Sequence, residues 1–315
     1  MVLPVPRFAD QAVTVYEWHA WDGFLVRELF PNAHRLSAYL GQDYTDVLAK
    51  IRPGIRRFLF HIGLTESSLV PGLRHLLIRR LQSQGIIVLN GRLTDISKRR
   101  VQSVCTKCRL PSASASPQGD PEELLIIKTN LNYGGEDEQQ LSAKDCCYLG
   151  VDGRPHPAIP DGSSYEICTR KDLAPGFWRD RRLAIERFIA NEQNLFFRAY
   201  VFLEAMVVEA AVNSAPIKKM HNGLLRTVFF FQGLQALPVE THVKSLKLHG
   251  PPGMLVRAVR RFCRCIGLDF GSVDVVMNDE EHCFIIDVNT TPYWARADME
   301  EVPAFLRSFC ARASE

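Results

Sequence analysis

The sequence predicts a mixed α/β and α+β protein with an α/β front, a small middle unit and a strand-rich rear. Three observations carry this. Over the first ninety or so residues, short apolar strands alternate with helical stretches, the pattern of a parallel sheet covered by helices. Two turn-forming stretches, Pro111 to Pro121 (PSASASPQGDP) and Gly150 to Ser164, then interrupt the chain. From Leu183 onward, β-branched and aromatic runs follow one another with one strongly amphipathic helix among them.

In chain order, Ala12 to Trp18 reads as a strand and Trp21 to Tyr39 includes a helical stretch. Arg56 to Ile62 (RRFLFHI) reads as a strand and Val70 to Gln84 as an amphipathic helix closed by Gly85. Ile86 to Leu89 is expected to be a short buried strand, and Thr94 to Lys107 a helix. Pro111 to Pro121 is expected to be a flexible loop with no means of packing. Leu124 to Lys128 is an apolar strand ending in a lysine, and Gly150 to Ser164 a mobile connector or substrate-facing loop. LAIERFI, FFRAYVFLEAMVVEAAV and LRTVFFF supply the rear strands. In the helix that follows, Leu255, Val256, Val259, Phe262, Cys263 and Ile266 form an apolar stripe, with Arg257, Arg260, Arg261 and Arg264 largely off it. No internal repeat is found.

Composition excludes several classes. The 46% apolar and 23% charged content of the 315 residues is that of a globular chain, and a net charge of +3 is too small to argue for a nucleic-acid partner, so none is expected. No run is long and apolar enough to span a membrane, and MVLPVPRFADQAV lacks the regions of a signal peptide. Nine scattered cysteines fit a reducing cytoplasm, the expected location. Cys105 and Cys108 form a CxxC that no second pair completes into a zinc site. Free thiols are therefore expected there, at Cys146-Cys147 and at Cys263/Cys265.

The chemistry concentrates in DVVMNDEEHCFIIDVNTTPYW, Asp274 to Trp294. The polar run Asn278-Asp279-Glu280-Glu281 reads as the turn of a hairpin. A turn centred on Glu280-Glu281 sets Asp274 opposite Asp287, and Asn289 shares the face of Asp287. Two carboxylates side by side need a cation, and oxygen donors of this kind suit magnesium. Two exposed strand-end acids and a turn-forming Asn would show the same spacing. Lys98 and Lys128 are the lysines of interest, the second at the end of a strand before TNLNYGG. An ammonium beside a glycine loop suits a polyphosphate.

In order, these pieces resemble the ATP-grasp superfamily. The separation of Asp274 and Asp287, with Asn289 two residues further on, is similar to the metal hairpin of its D-alanine–D-alanine ligases. The resemblance implies a pre-ATP-grasp α/β domain (1–93), a small lid subdomain (94–185) and a C-terminal subdomain with the metal hairpin (186–315). It implies that ATP meets Lys98, Lys128, the lid loop Tyr133, Gly134 and Gly135, and the hinge strand Glu186, Arg187, Phe188 and Ile189. Arg198 matches an arginine near the phosphates, so Arg198 and Lys128 are the catalytic candidates. One or two magnesium ions are expected on Asp274, Asp287 and Asn289. Thr290, Thr291 and Arg296, with Tyr293 and Trp294, are expected to face substrate. Two departures stand out: Asp287 where many members have Glu, and Ser272 where the D-alanine ligases have Arg. Glu136, Asp137 and Glu138 follow the lid loop where many relatives have Gly and Ser, and are expected to face solvent or substrate.

The implied activity is a carboxylate–amine ligase working through an acyl phosphate on small-molecule or peptide substrates. Its partners would be a carboxylate and an amine, and a homodimer is expected from the family alone. An inositol-phosphate-kinase-like relative acting on a hydroxyl is the alternative, followed by a nucleotide-binding protein without turnover.

Overall fold

The computed structural model describes residues 12–152, 165–217, 225–237, 253–294 and 301–312. The front consists of β1 (Val13–Glu17), α1 (Leu25–Leu29), β2 (His34–Ser37), α2 (Tyr44–Ala49), β3 (Arg57–His61), α3 (Arg74–Ser83) and β4 (Ile87–Leu89). Its four strands are parallel in the order β2-β1-β3-β4. Every residue of the central β1 and β3 is buried, which is why VTVYE and RFLFH show little alternation. β4 is an edge strand with Ile87 47% exposed, so only part of the expected buried strand is buried.

The middle begins with α4 (Lys98–Lys107), shorter than the expected Thr94 start because Ser97 caps it. The Ser97 hydroxyl accepts from the Arg100 amide at 3.3 Å, and the Ser97 amide donates to Asp95 at 2.9 Å. There follow β5 (Leu124–Thr129), α5 (Glu136–Gln139), α6 (Ala143–Leu149), β6 (Glu166–Thr169), α7 (Pro175–Arg179) and β7 (Leu183–Arg187), with an antiparallel sheet in the order β6-β5-β7. The Pro111 to Pro121 stretch corrects an expectation, because it packs. The Ala115 amide donates to Ile185 O (3.1 Å) and the Arg187 amide to Ala113 O (2.6 Å), laying residues 113–115 along the outer edge of β7. Backbone groups make these contacts, so a Ser/Pro-rich composition hid them.

The rear consists of β8 (Leu195–Phe202), β9 (Ala205–Val212), β10 (Leu225–Gln232), β11 (Gln235–Leu237), α8 (Gly253–Ile266), β12 (Phe270–Met277), β13 (Cys283–Asn289) and α9 (Glu301–Arg312). Its antiparallel sheet runs β11-β10-β9-β8-β12-β13. One core joins this sheet to α4 and α8 through Val101, Val104, Leu255, Val259, Phe262 and Val273. A second joins it to the front and to α9 through Val15, Leu29, Phe202, Phe270 and Leu306. The apolar stripe of α8 is buried as read, but Arg260 is buried with it, donating to the carbonyls of Leu203 (2.8 Å) and Gly233 (3.2 Å). Cys108 at the end of α4 and Cys265 in the last turn of α8 form a disulfide, correcting the free-thiol expectation for both. The two helix ends meet because they share one core, which the separation of 157 residues concealed.

Asn90 fastens front to rear. Its amide nitrogen donates to Phe60 O (3.3 Å) and Phe270 O (2.8 Å), and its oxygen accepts from the amides of Asp269 (2.9 Å) and Phe270 (3.1 Å). This buried side chain therefore has every polar atom satisfied across the junction.

Candidate functional site

Between the three-stranded and six-stranded sheets lies a cavity of about 380 Å³. β12 and β13 form its floor as a hairpin with Asp274 paired to Asp287 and Ser272 to Asn289. The hairpin tip pairs Met277 with Cys283 and then Val275 with Ile285, so Ile286 is an extra residue. That bulge is what brings Asp287 rather than Ile286 opposite Asp274. Arg198 on β8 sits in register with Asp274 on the other side and donates to both its oxygens, Nε to Oδ1 at 2.7 Å and Nη2 to Oδ2 at 2.8 Å. Burial alone would lower the Arg198 pKa, but the charge and hydrogen bonds of Asp274 outweigh it and hold it well above the ordinary arginine value.

Lys98 is the first residue of α4 and is held by the lid strand's exit: its amide donates to Asn130 O at 3.4 Å, and the Arg99 amide to Asn130 Oδ1 at 2.9 Å. Its ammonium meets Asp287 Oδ1 at 2.5 Å. Lys128 on β5 points to the same cavity, paired with Glu186 Oε2 on β7 at 2.5 Å. Glu186 is also held by Gln102 of α4, whose Nε2 donates to Glu186 Oε1 (3.3 Å) and Ile285 O (3.0 Å) while its Oε1 accepts from the Ala113 amide (2.8 Å). One buried amide thus ties α4, β7, the hairpin and residue 113 together. Phe188, Ile189, Phe196, Val276 and Ile286 line the cavity beside these charges as an apolar slot.

Above the hairpin, Tyr133, Gly134 and Gly135 all adopt positive φ (+46°, +69° and +85°), a tight left-handed turn natural for the glycines. The Asn289 amide nitrogen donates to the Tyr133 hydroxyl, and its oxygen accepts from the Thr291 amide at 2.8 Å. A recess of about 30 Å³ lined by Ser272, Asn289, Tyr133 and Arg198 shares Asp274 and Asp287 with the main cavity.

The cavity therefore gathers Lys98, Lys128, Tyr133, Gly134, Glu186, Arg187, Phe188, Ile189, Arg198, Asp274 and Asp287, with Asn289 in the adjoining recess. Gly135 is not at its wall: it is buried, and a side chain there would meet Leu131 Cδ1 at 2.6 Å. Thr290 and Thr291, expected to face substrate, are buried instead. The Thr290 hydroxyl donates to Ile62 O at 2.6 Å and Thr291 bonds to Asn289, so both secure the hairpin exit to the front. Arg296 lies outside the described residues. The three lid acids divide: Glu136 lines the cavity, Asp137 meets His19 Nε2 at 3.0 Å, and Glu138 is buried with Oε1 accepting from the Thr65 amide at 2.7 Å. Neither Asp137 nor Glu138 faces solvent or substrate freely, because the segment after β5 docks on the front. Tyr165 is a cavity residue that sequence reading missed. Burial, opposed by nearby Lys128, pushes its phenol up to about 12, and no motif marks it.

Two carboxylates and an amide oxygen on one sheet face fit a hard divalent cation such as magnesium. Arg198 and Lys98 reach the same two carboxylates, at 2.7 Å and 2.5 Å. Among the described residues, no group of three His, Cys, Asp or Glu side chains forms a further metal site.

No family model matches this chain, and no curated protein matches it. It is similar to a solved structure of the ATP-grasp ligase PsnB complexed with a phosphomimetic variant of minimal precursor, Mg and ADP, at 10% identity and TM-score 0.52, covering 97% of this chain and 99% of that one. It is also similar to a RimK domain protein ATP-grasp from Sphaerobacter thermophilus, at 12% identity and TM-score 0.50, covering 96% and 99%.

Proposed function

Proceeding from the ATP-grasp fold that this chain has, we propose that the protein is an ATP-dependent carboxylate–amine ligase that forms an amide through an acyl phosphate. The observation that carries the reading is the convergence of Lys98, Lys128, Arg198, Asp274 and Asp287, from five separate elements, on one cavity with an apolar slot at its side. Phe188, Ile189, Phe196, Val276 and Ile286 suit the faces of a purine. Lys98 and Lys128 neutralise phosphate oxygens, and Arg198 meets the charge that develops on the transferred group. Asp274, Asp287 and Asn289 would hold one or two magnesium ions, which supply charge neutralisation between the terminal phosphates. Tyr133 and Gly134 cover the phosphates and exclude water that would hydrolyse an acyl phosphate. In this reading the front sheet (1–93), the lid (94–185) and the rear (186–315) are the three domains, and the ligase acts on small acids or peptides.

The test is ADP and phosphate release with magnesium-ATP across a pool of amino acids, small acids and peptides, with and without hydroxylamine. Hydroxamate formation supports the ligase. ADP with a phosphorylated hydroxyl acceptor and no hydroxamate would assign the protein to the kinases, and nucleotide binding without turnover to a non-catalytic role.

A further inference from the structure

The charges on the cavity wall pair off with one exception. Lys98 meets Asp287, Lys128 meets Glu186, Arg198 meets Asp274, and Arg187 donates to Ser112 O at 2.6 Å. Glu136 lines the same cavity at its exposed mouth, where among the described residues its carboxylate has neither a hydrogen bond nor an ion pair and is left to solvent or ligand. Its chain neighbours Asp137 and Glu138 are both engaged. Glu136 opens a helix of four residues, too short to account for it. An unpaired carboxylate repels a polyphosphate, so Glu136 belongs beyond the phosphates, on the acceptor side.

The second observation is aromatic. Tyr293, also on the cavity wall, stacks on Trp21 with ring centroids 4.7 Å apart and planes 7° from parallel. Both rings are about half exposed, at 44% and 50%. The stack is built in: the Leu25 amide donates to Pro292 O (2.9 Å) and the Trp294 amide to Gly23 O (2.6 Å), holding the two loops together. At Gly23 a side chain would meet the Tyr293 ring at 2.7 Å, so glycine makes room for the pair. Tyr293 lies four residues beyond Asn289, and Glu136 three beyond Tyr133, whose hydroxyl accepts from Asn289. Asp137, next to Glu136, meets His19, two residues before Trp21, at 3.0 Å, and a side chain at Gly63 would meet both Asp137 (2.5 Å) and Thr291 (3.2 Å), so the loops that carry Glu136, Trp21 and Tyr293 lie side by side.

We propose that Glu136 and the Trp21–Tyr293 stack form the amine-substrate site, taking a primary ammonium whose carbon skeleton carries an apolar or aromatic group. The carboxylate holds the ammonium and takes the proton that the nitrogen must lose before it can attack, and the rings bind the organic part through area and cation–π attraction. This rests on the ligase reading, in which a nucleophilic amine must enter the cavity after the acid.

The experiment uses the full chain saturated with magnesium-ADP, with nucleotide binding checked by calorimetry, and phenethylammonium as probe against its uncharged counterpart 2-phenylethanol. Ligand-observed NMR titration is expected to give a millimolar dissociation constant for the ammonium and binding about tenfold weaker for the alcohol. Glu136→Gln should erase that preference, and Trp21→Ala should weaken both probes. Absence of probe binding, preference for the alcohol, or both variants behaving as the parent overturns the amine site. Failure of the parent chain to bind magnesium-ADP is a separate result, and overturns the ligase reading beneath it.

Discussion

Replacing Lys128 with methionine keeps most of the side-chain volume and removes one half of a buried ion pair. The ammonium and Glu186 Oε2 are 2.5 Å apart, with Lys128 only 5% and Glu186 only 1% exposed. Water cannot compensate the carboxylate left behind, and breaking such a pair from one side costs about 3–5 kcal/mol. Gln102 still donates to the other oxygen at 3.3 Å, a long contact that does not restore the lost charge. Against a typical stability of about 5–15 kcal/mol, the loss is a large fraction of the total. The double variant Lys128→Met/Glu186→Gln removes both charges and is expected to recover most of it, to within about 2 kcal/mol of the parent. Equilibrium urea unfolding supplies the cycle, and hydrogen exchange over 124–129 and 183–187 localises it to the lid sheet. If the single variant loses less than about 1 kcal/mol, or the double loses the sum of the singles, the pair is not the buried, coupled unit described. A second readout separates stability from function. If Lys128 also serves the phosphates, ADP affinity falls by about 10–100-fold in the single variant and stays low in the double, although stability has returned.

Other outcomes follow from the same geometry. If the hairpin holds magnesium as proposed, Asp287→Asn, which takes away one carboxylate and the charged partner of buried Lys98, should lower turnover by about 100-fold or more; an active variant would remove the hairpin from the mechanism. Asn90→Gly keeps a residue tolerant of φ +55° but deletes four side-chain hydrogen bonds, three of them across the junction, at an expected cost of about 2–4 kcal/mol in urea unfolding. Burial raises the Glu138 pKa above the ordinary glutamate value, outweighing the hydrogen bond from Thr65. A raised carboxylate favours the folded state below its unfolded pKa, and that advantage is lost as pH rises through the folded value. Glu138→Gln, which keeps an acceptor for the Thr65 amide, should therefore be more stable than the parent at neutral pH, with the gap closing as pH falls. A gap that is constant with pH would contradict the burial argument.

Three of the four front strands, the apolar stripe of α8 and the facing of Asp274 with Asp287 were legible because each depends on spacing along a short stretch, whereas β2 (His34–Ser37) lay unread inside a stretch taken to include a helix. Even there the register rests on the bulge at Ile286, which the turn residues alone do not reveal. The burial of Thr290 and Thr291 was not legible, because it depends on Ile62 lying against the hairpin exit, 228 residues away in the chain. The same is true of the backbone pairing of residues 113–115 and the meeting of Cys108 with Cys265.

By itself the sequence determined residue types and local periodicity: which positions could be strand, helix or turn, and which side chains carry charge. Only the tertiary structure decided which charge meets which. Lys98 faces Asp287, Lys128 faces Glu186 and Arg198 faces Asp274, while Glu136 on the cavity wall has no partner among the described residues. The physical reason is that periodicity is set by neighbours on one helix or strand, whereas ion pairing and burial are set by whichever surfaces the packing of distant elements brings within a few ångströms.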